Sequence, residues 1–437
     1  MLDPDPVDLR RDAISSPASM ARSAYDFKQS SKLGEGAEVL LDAARAMAAL
    51  DVMVAHSLHI LAGKNASGAI AVAVFFILSG FLITLSVVRG WGSPSQFSRY
   101  LAVRTARIFV PLVPVLAAVI ALNWFAIGGH WGSPGVSTGP LAAIGNLFLL
   151  NDYPLFQAAS KFGDISSFYI RSYNSAEPLW TVAIEFWIYI FVGFVAIVLV
   201  KGEKIKMRLA LPLFIVSLPV IIWNSFAGGG KFLTLIWLLG ACGALLFIKL
   251  KSIDPWWKRP LAWSLIGYGG ICLPPRIVES QFSSHDLQSA ILGAFILFGL
   301  LLLCDTARVS PIISKFIRAI SSYSYSLYLT HNTVIILVAI YSPLSAMQNV
   351  LLACVLANIT AIIFYILFEQ HYRRVADEIA PRLARLIEQR GRTASPALVA
   401  ASSAAPMAIL DEIKQPDPVG VGREEKRNDR QPHAPML

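Results

Sequence analysis

The sequence predicts an all-α, polytopic membrane protein with about ten transmembrane helices and both termini in the cytoplasm. Three observations predict it. Of 437 residues, 55% are hydrophobic and only 15% charged, where an average soluble domain carries roughly 25% charged residues. Apolar runs long enough to cross a bilayer recur from residue 43 to residue 368 with no polar domain between them. Lys and Arg gather in alternate connections between those runs, as cytoplasmic loops require. Together these exclude a soluble globular enzyme. One membrane domain, 41–372, is flanked by polar segments 1–40 and 373–437, poor in aromatics and read as disordered cytoplasmic tails.

A bilayer core of about 30 Å takes about 20 helical residues. The runs that meet this lie near 43–62, 66–89, 108–127, 141–157, 179–200, 209–227, 232–250, 261–279, 288–304, 319–341 and 348–368. The fourth is weak, because Asn151, Asp152 and Pro154 interrupt it, and so short a run is re-entrant or interfacial. Charge agrees with that reading. If the fourth run does not span, the inner loops hold Arg89, Arg99, Arg104, Arg107, Lys201, Lys204, Lys206, Arg208, Lys249, Lys251, Lys258, Arg259, Arg308, Lys315 and Arg318. The outer loops hold only Lys64, Lys161, Arg171, Lys231 and Arg276. Residues 128–178 then form a long outer loop. Pro178 opens the next span, Pro111 and Pro114 kink the third, and Pro274 with Pro275 ends the 261–279 run early.

The net charge of +9 punctuates hydrophobic spans and forms no nucleic-acid-binding patch, so no nucleic-acid partner is expected. Cys242, Cys272, Cys304 and Cys354 show no CxxC or metal-ligand spacing and read as small packing residues, with no metal. No cleavable leader opens the chain, so the first span acts as its own insertion signal.

Ionisable side chains inside a span are functional candidates. At 1.5 Å per residue, His56 lies about 20 Å above the inner boundary, Glu185 about 9 Å below the outer one, and His331, counted from Ala319, about 18 Å up. Three such groups on three helices converge on one level, beside the blander reading of each as a hydrogen-bonding interior residue. A carboxylate beside an imidazole fixes its tautomer, which suits a general base. His59 sits nearer the interface, and Asp51 is structural or pairs with Arg45. At the inner surface, Arg104 and Arg107 share one helix face and form a two-guanidinium clamp for phosphate oxygens, with Arg45 at the inner end of the first span. Arg89 and Arg99 read equally as positive-inside anchors.

Five stretches, in order, resemble the acyltransferase family 3 integral membrane acyltransferases: Arg45-Ala-Met-Ala-Ala-Leu-Asp-Val-Met-Val-Ala-His56; Phe75-Phe-Ile-Leu-Ser-Gly-Phe-Leu-Ile83; Arg104-Thr-Ala-Arg107-Ile-Phe-Val-Pro111; Leu179-Trp-Thr-Val-Ala-Ile-Glu185-Phe-Trp-Ile-Tyr189; and Ser324-Tyr-Ser-Leu-Tyr-Leu-Thr-His331. The resemblance covers about residues 41–372. It implies transfer of an acyl group, usually acetyl, from cytoplasmic acyl-coenzyme A to a hydroxyl of a glycan or lipid-linked saccharide of the cell envelope, in the bacterial inner membrane. His56 would be the catalytic histidine, acting as base or transient acyl carrier, with Glu185 orienting it and His331 beside it. Arg45, Arg104 and Arg107 would handle the coenzyme A phosphates or order the donor tunnel, and Ser79, within the second block, is grouped with them.

Departures are the run Ala69-Ile-Ala-Val-Ala-Val74, where polar or Gly residues are usual, and Glu369-Gln-His-Tyr-Arg373, where a proline usually follows the Glu closely. The C-terminal segment is too short for the esterase-like domain fused to some members. Trp131, Tyr153, Phe168, Tyr169 and Tyr173 in the long outer loop would offer aromatic platforms for a sugar, or an interfacial belt. The alternative function is a transporter or flippase that relays protons through the buried His and Glu residues.

Overall fold

Backbone polar groups find no water inside a bilayer, so a chain of this composition must satisfy them within helices. The computed structural model describes residues 28–64, 68–127, 138–159, 170–228, 230–279 and 286–388. Among them every element is helical, apart from one isolated bridge between Ile205 and Glu388. The chain is an all-α polytopic membrane protein.

The helices are α1 (Glu35–Ala62), α2 (Ala69–Arg89), α3 (Gln96–Leu122), α4 (Pro140–Leu147), α5 (Pro154–Ala159), α6 (Leu179–Gly193) and α7 (Met207–Phe226). They continue with α8 (Leu233–Ile253), α9 (Lys258–Glu279), α10 (Leu287–Cys304), α11 (Pro311–Ser322), α12 (Ser324–Tyr341), α13 (Ala346–Leu367) and α14 (Tyr372–Ile387). Two π-helical segments, Asn123–Ile127 and Phe194–Val200, extend α3 and α6. Seven helical stretches among the described residues are long and apolar enough to cross a membrane. Helices α1, α9 and α12 have the length, at 28, 22 and 18 residues, but carry more polar side chains, such as Asp42, Arg45, Asp51 and His56 on α1.

Run 141–157 is broken into α4 and α5, of 8 and 6 residues, neither able to span. Buried Asn146 pins this region: its amide donates to the Ala142 and Arg171 carbonyls and accepts from the Tyr173 N–H. Trp187 of α6 donates to the Leu149 carbonyl at 2.8 Å. Tyr153 and Tyr173 are buried and serve as packing residues, whereas Trp131, Phe168 and Tyr169 lie outside the described residues.

Four sequence expectations change. Run 319–341 is two helices, broken at non-helical Tyr323. Ser322 and Ser324 there turn their hydroxyls onto the Ala319 and Ser321 carbonyls, competing with the helical bonds. Helix α9 runs on through Pro274 and Pro275 to Glu279; the prolines withdraw the donors that the Gly270 and Ile271 carbonyls would otherwise have, without ending the helix. The flank expected as a tail from 373 opens with α14. Its apolar residues Ala376, Ile379, Leu383 and Ile387 recur at helical spacing among charged ones, and that face packs on α3. Ser95 and Ser98 donate to Glu388 at 2.7 and 2.9 Å. The other flank is also ordered before residue 41: α1 starts at Glu35, Gly34 N–H donates to Asp305 at 2.7 Å, and Arg89 donates to the Ser31 carbonyl.

Helices α1, α2, α3, α6 and α12 surround the site. Helix α2 is pressed against α8 by reciprocal glycines. A Cβ added at Gly80 would fall 2.0 Å from the Trp237 carbonyl oxygen, and one at Gly240 2.0 Å from that of Ile77. Small residues let helix backbones approach this closely in membranes. That contact fixes Ser79, the neighbour of Gly80, against Trp237.

Candidate active site

A cavity of about 670 Å³ opens among these helices. Its basic end is lined by Arg45, Arg104, Arg107, Arg318 and Arg373, with Asp42, Glu185 and Glu369 among them; its apolar lining is Val72, Phe75, Phe76, Ile83, Ile108 and Val182, with Thr181 and Tyr328 beside them. It thus brings Arg45, Ser79, Arg104, Arg107 and Glu185 together from four helices. His56 and His331 stand outside its lining, beyond Tyr328.

The two histidines meet: His56 Nδ1 lies 3.0 Å from His331 Nε2, with ring centroids 5.1 Å apart. Hydrogen-bond chemistry fixes their tautomers. His331 Nδ1 faces the Leu327 and Tyr328 carbonyls at 3.1 and 2.9 Å. A carbonyl only accepts, so this nitrogen carries the proton. In the neutral ring His331 Nε2 is then an acceptor, and His56 Nδ1 must donate to it. His56 Nε2 is left with its lone pair free. His331 is fully buried and His56 partly exposed. The depth counted for His331 from Ala319 does not hold, since its helix begins at Ser324; the pairing arises because α12 packs directly on α1.

Glu185 does not reach either ring. Its carboxylate accepts from Tyr189 one turn along α6 and from Ser79, within the fields of Arg107 and Arg104. Ser79 Oγ is 2.9 Å from Tyr189 Oη and accepts from Trp237 Nε1 at 3.1 Å. The expected Glu185–imidazole pair is therefore replaced by His331 on the imidazole and a Ser79–Tyr189–Glu185 network in the cavity wall.

Nor do the two arginines of α3 form a symmetric clamp. Arg107 donates to Glu369 at 2.5 Å. Glu369 is fully buried and also accepts from the Ser326 N–H and hydroxyl at 3.0 and 2.6 Å, so this ion pair ties α3 to the start of α12. Arg104 donates to Ser86 Oγ at 3.0 Å and lies over the Tyr100 and Tyr189 rings, while its buried Nε has no hydrogen-bond partner. A buried guanidinium N–H left unsatisfied in a cavity wall is a ready donor to an anion. Arg45 pairs with Asp42 at 3.1 Å and donates to Ser321; it does not pair with Asp51, which is exposed on α1.

Sequence reasoning did not single out Tyr328, Tyr189 or Asp42 as site residues, and met Glu369 only as a departure from pattern. Asp42 carried a usable signal, three residues before Arg45 on one helix face. No group of three or more His, Cys, Asp or Glu side chains able to hold a metal occurs among the described residues.

Fold and site together define a polytopic membrane protein whose basic-mouthed cavity ends beside a tautomer-fixed imidazole pair. The chain belongs to acyltransferase family 3, the family described as an acyltransferase domain, which matches residues 39–369. It is also 29% identical over 197 residues to an "O-acetyl transferase" of Shigella phage Sf6, covering 43% of this chain and 52% of that protein. The chain thus spans about half the length of that relative. No solved structure matches it.

Proposed function

We propose that this chain moves an acyl group, acetyl most readily, from acyl-coenzyme A to a hydroxyl of a cell-envelope or exported saccharide, with the donor entering from the cytoplasm of a bacterial inner membrane. Within the family, the observation that carries this reading is Arg104: a cation in the cavity wall with no carboxylate partner among the described residues and a buried N–H without an acceptor. A phosphorylated donor supplies such acceptors. Arg45 and Arg373, at the same mouth, add further positive charge.

Arg45 and His56 lie eleven residues apart on α1, about 16 Å along the axis. A long flexible arm between phosphates and thioester bridges such a distance. His56 Nε2, with its lone pair free, takes the proton of the acceptor hydroxyl as the oxygen attacks the thioester carbonyl. The new C–O ester bond forms, the C–S bond breaks, and the proton passes from His56 to the departing thiolate, giving free coenzyme A. Transient transfer of the acyl group to His56 Nε2, followed by attack of the hydroxyl, uses the same nitrogen. His331 accepts from the Nδ1–H of His56 throughout, so that Nε2 remains the reacting nitrogen.

The test uses inverted membrane vesicles given labelled acetyl-coenzyme A, with release of coenzyme A and label in the saccharide fraction followed for the wild type and His56→Ala at matched protein level. Both signals are expected from the wild type and neither from the variant. Equal signals from the two would remove His56 from the chemistry; no release by the wild type with any acyl donor would favour the transport alternative.

A further inference from the structure

A hydrogen-bonded aromatic residue, Tyr328, stands between the cavity lining and the imidazole pair. Tyr328 lines the cavity. On the cavity side its ring meets Phe75 edge-on, centroids 5.7 Å apart at 73°. On the other side it lies 5.8 Å from the His331 ring. The phenol is held at its far end as well: Tyr328 Oη pairs with Thr181 Oγ1 and lies 3.4 Å from the Pro178 carbonyl, to which Thr181 donates at 3.0 Å. A ring anchored through its backbone on α12 and its hydroxyl on α6 does not swing aside freely, because a buried hydroxyl released from its partners stays unsatisfied.

We infer that Phe75 and Tyr328 are the acyl-length gauge of the donor site, admitting an acetyl group to the imidazole pair and excluding longer, unbranched acyl chains. This rests on the reading of the cavity as an acyl-coenzyme A site. The thioester reaches His56 only past this pair of rings, so every carbon beyond the carbonyl competes with them for space. The surroundings are apolar, Val72, Phe76 and Val182 among them, so discrimination is steric. An apolar pocket typically separates chains differing by one methylene by about 10- to 200-fold. Neither residue touches the phosphate end of the cavity, so the gauge acts on chain length without acting on the affinity for coenzyme A itself.

The experiment compares kcat/KM for acetyl-, propionyl- and butyryl-coenzyme A, read as coenzyme A release from purified full-length protein with saccharide acceptor. The variants are Phe75→Ala, the milder Phe75→Leu, and Tyr328→Phe, which keeps the ring and removes its anchor. Binding of coenzyme A is measured on the same preparations. The wild type is expected to lose at least tenfold at each added methylene, and Phe75→Ala to raise the butyryl-to-acetyl ratio at least tenfold with coenzyme A affinity unchanged. Phe75→Leu and Tyr328→Phe should raise it less. Active variants with the wild-type ratio would overturn the gauge, as would folded, coenzyme A-binding variants inactive toward every donor. Failure of the wild type with all three donors would instead overturn the donor reading, and the gauge with it.

Discussion

Charge placement separates the two arginines that one helix face presents together. Arg107→Ala leaves Glu369 fully buried without its cation, a change that costs about 3–5 kcal/mol in comparable buried pairs; its thermal unfolding in detergent should fall sharply. Arg104→Ala removes no ion pair, so its unfolding should stay near that of the wild type while coenzyme A affinity drops about tenfold or more. Equal stability losses in the two variants would sink this division. His331 is a positioning residue: His331→Leu removes the acceptor that fixes His56 Nδ1–H, and kcat should fall about 10²- to 10⁴-fold, the scale set by lost tautomer control elsewhere, with the donor KM little changed. His331→Gln, whose amide oxygen accepts a hydrogen bond, should recover part of that loss. A merely structural role predicts no such rescue. The residues legible in the sequence were those whose charge stands out in an apolar run, His56, Glu185, His331 and the arginines. Tyr328 was not, because an aromatic residue in a membrane span carries no mark of the space it divides.

Helices announce themselves when apolar length sets them, and their ends when a side chain caps them. Helix α10 starts at Asp286, whose carboxylate accepts from the Gln288 and Ser289 N–H groups and from Arg276 of α9 at 2.8 Å. Partial burial pushes this carboxyl up, but the bonds from Ser289, Arg276 and Gln288 outweigh it and hold it at about 2, below its ordinary 3.8. A carboxyl lowered on folding contributes stability that is present above 3.8 and is lost as pH falls toward 2. Asp286→Ala should therefore destabilise the protein at neutral pH by about 0.5–2 kcal/mol, the usual value of an N-cap, and the gap to wild type should close between pH 4 and 2. Unfolding curves at pH 7 and at the lowest pH the detergent complex tolerates check this; a gap that does not narrow would assign the effect to packing. Most apolar helices followed from the sequence with ends shifted by a few residues, while α1 and α3 begin eight and twelve residues before the apolar runs that announced them. Helix α14 and the break at Tyr323 did not, since α14 is apolar on one face only and the break rests on serine hydroxyls that also occur inside helices.

At the scale of the whole molecule, a line of polar side chains leads from the arginine end of the cavity past Tyr328 to His56, seven residues before the left-handed C-cap at Gly63. Acyl transfer from a cytosolic donor requires the arginine end to face the cytoplasm. The positive-inside pattern of Lys and Arg predicts that it does, with Arg308 at that end and Lys64 at the other, both exposed. In a background with Cys242, Cys272, Cys304 and Cys354 replaced, Lys64→Cys should react with a membrane-impermeant maleimide in intact spheroplasts and stay unlabelled in sealed inverted vesicles, and Arg308→Cys should do the reverse. Labelling of both from one side would show that an even number of crossings separates Lys64 from Arg308, and labelling of Arg308→Cys from outside alone would turn the cavity away from the cytosolic pool of acyl-coenzyme A. In that case the basic mouth would face the wrong compartment for its donor, and the acyl-transfer reading would fail on topology whatever the imidazole pair can do.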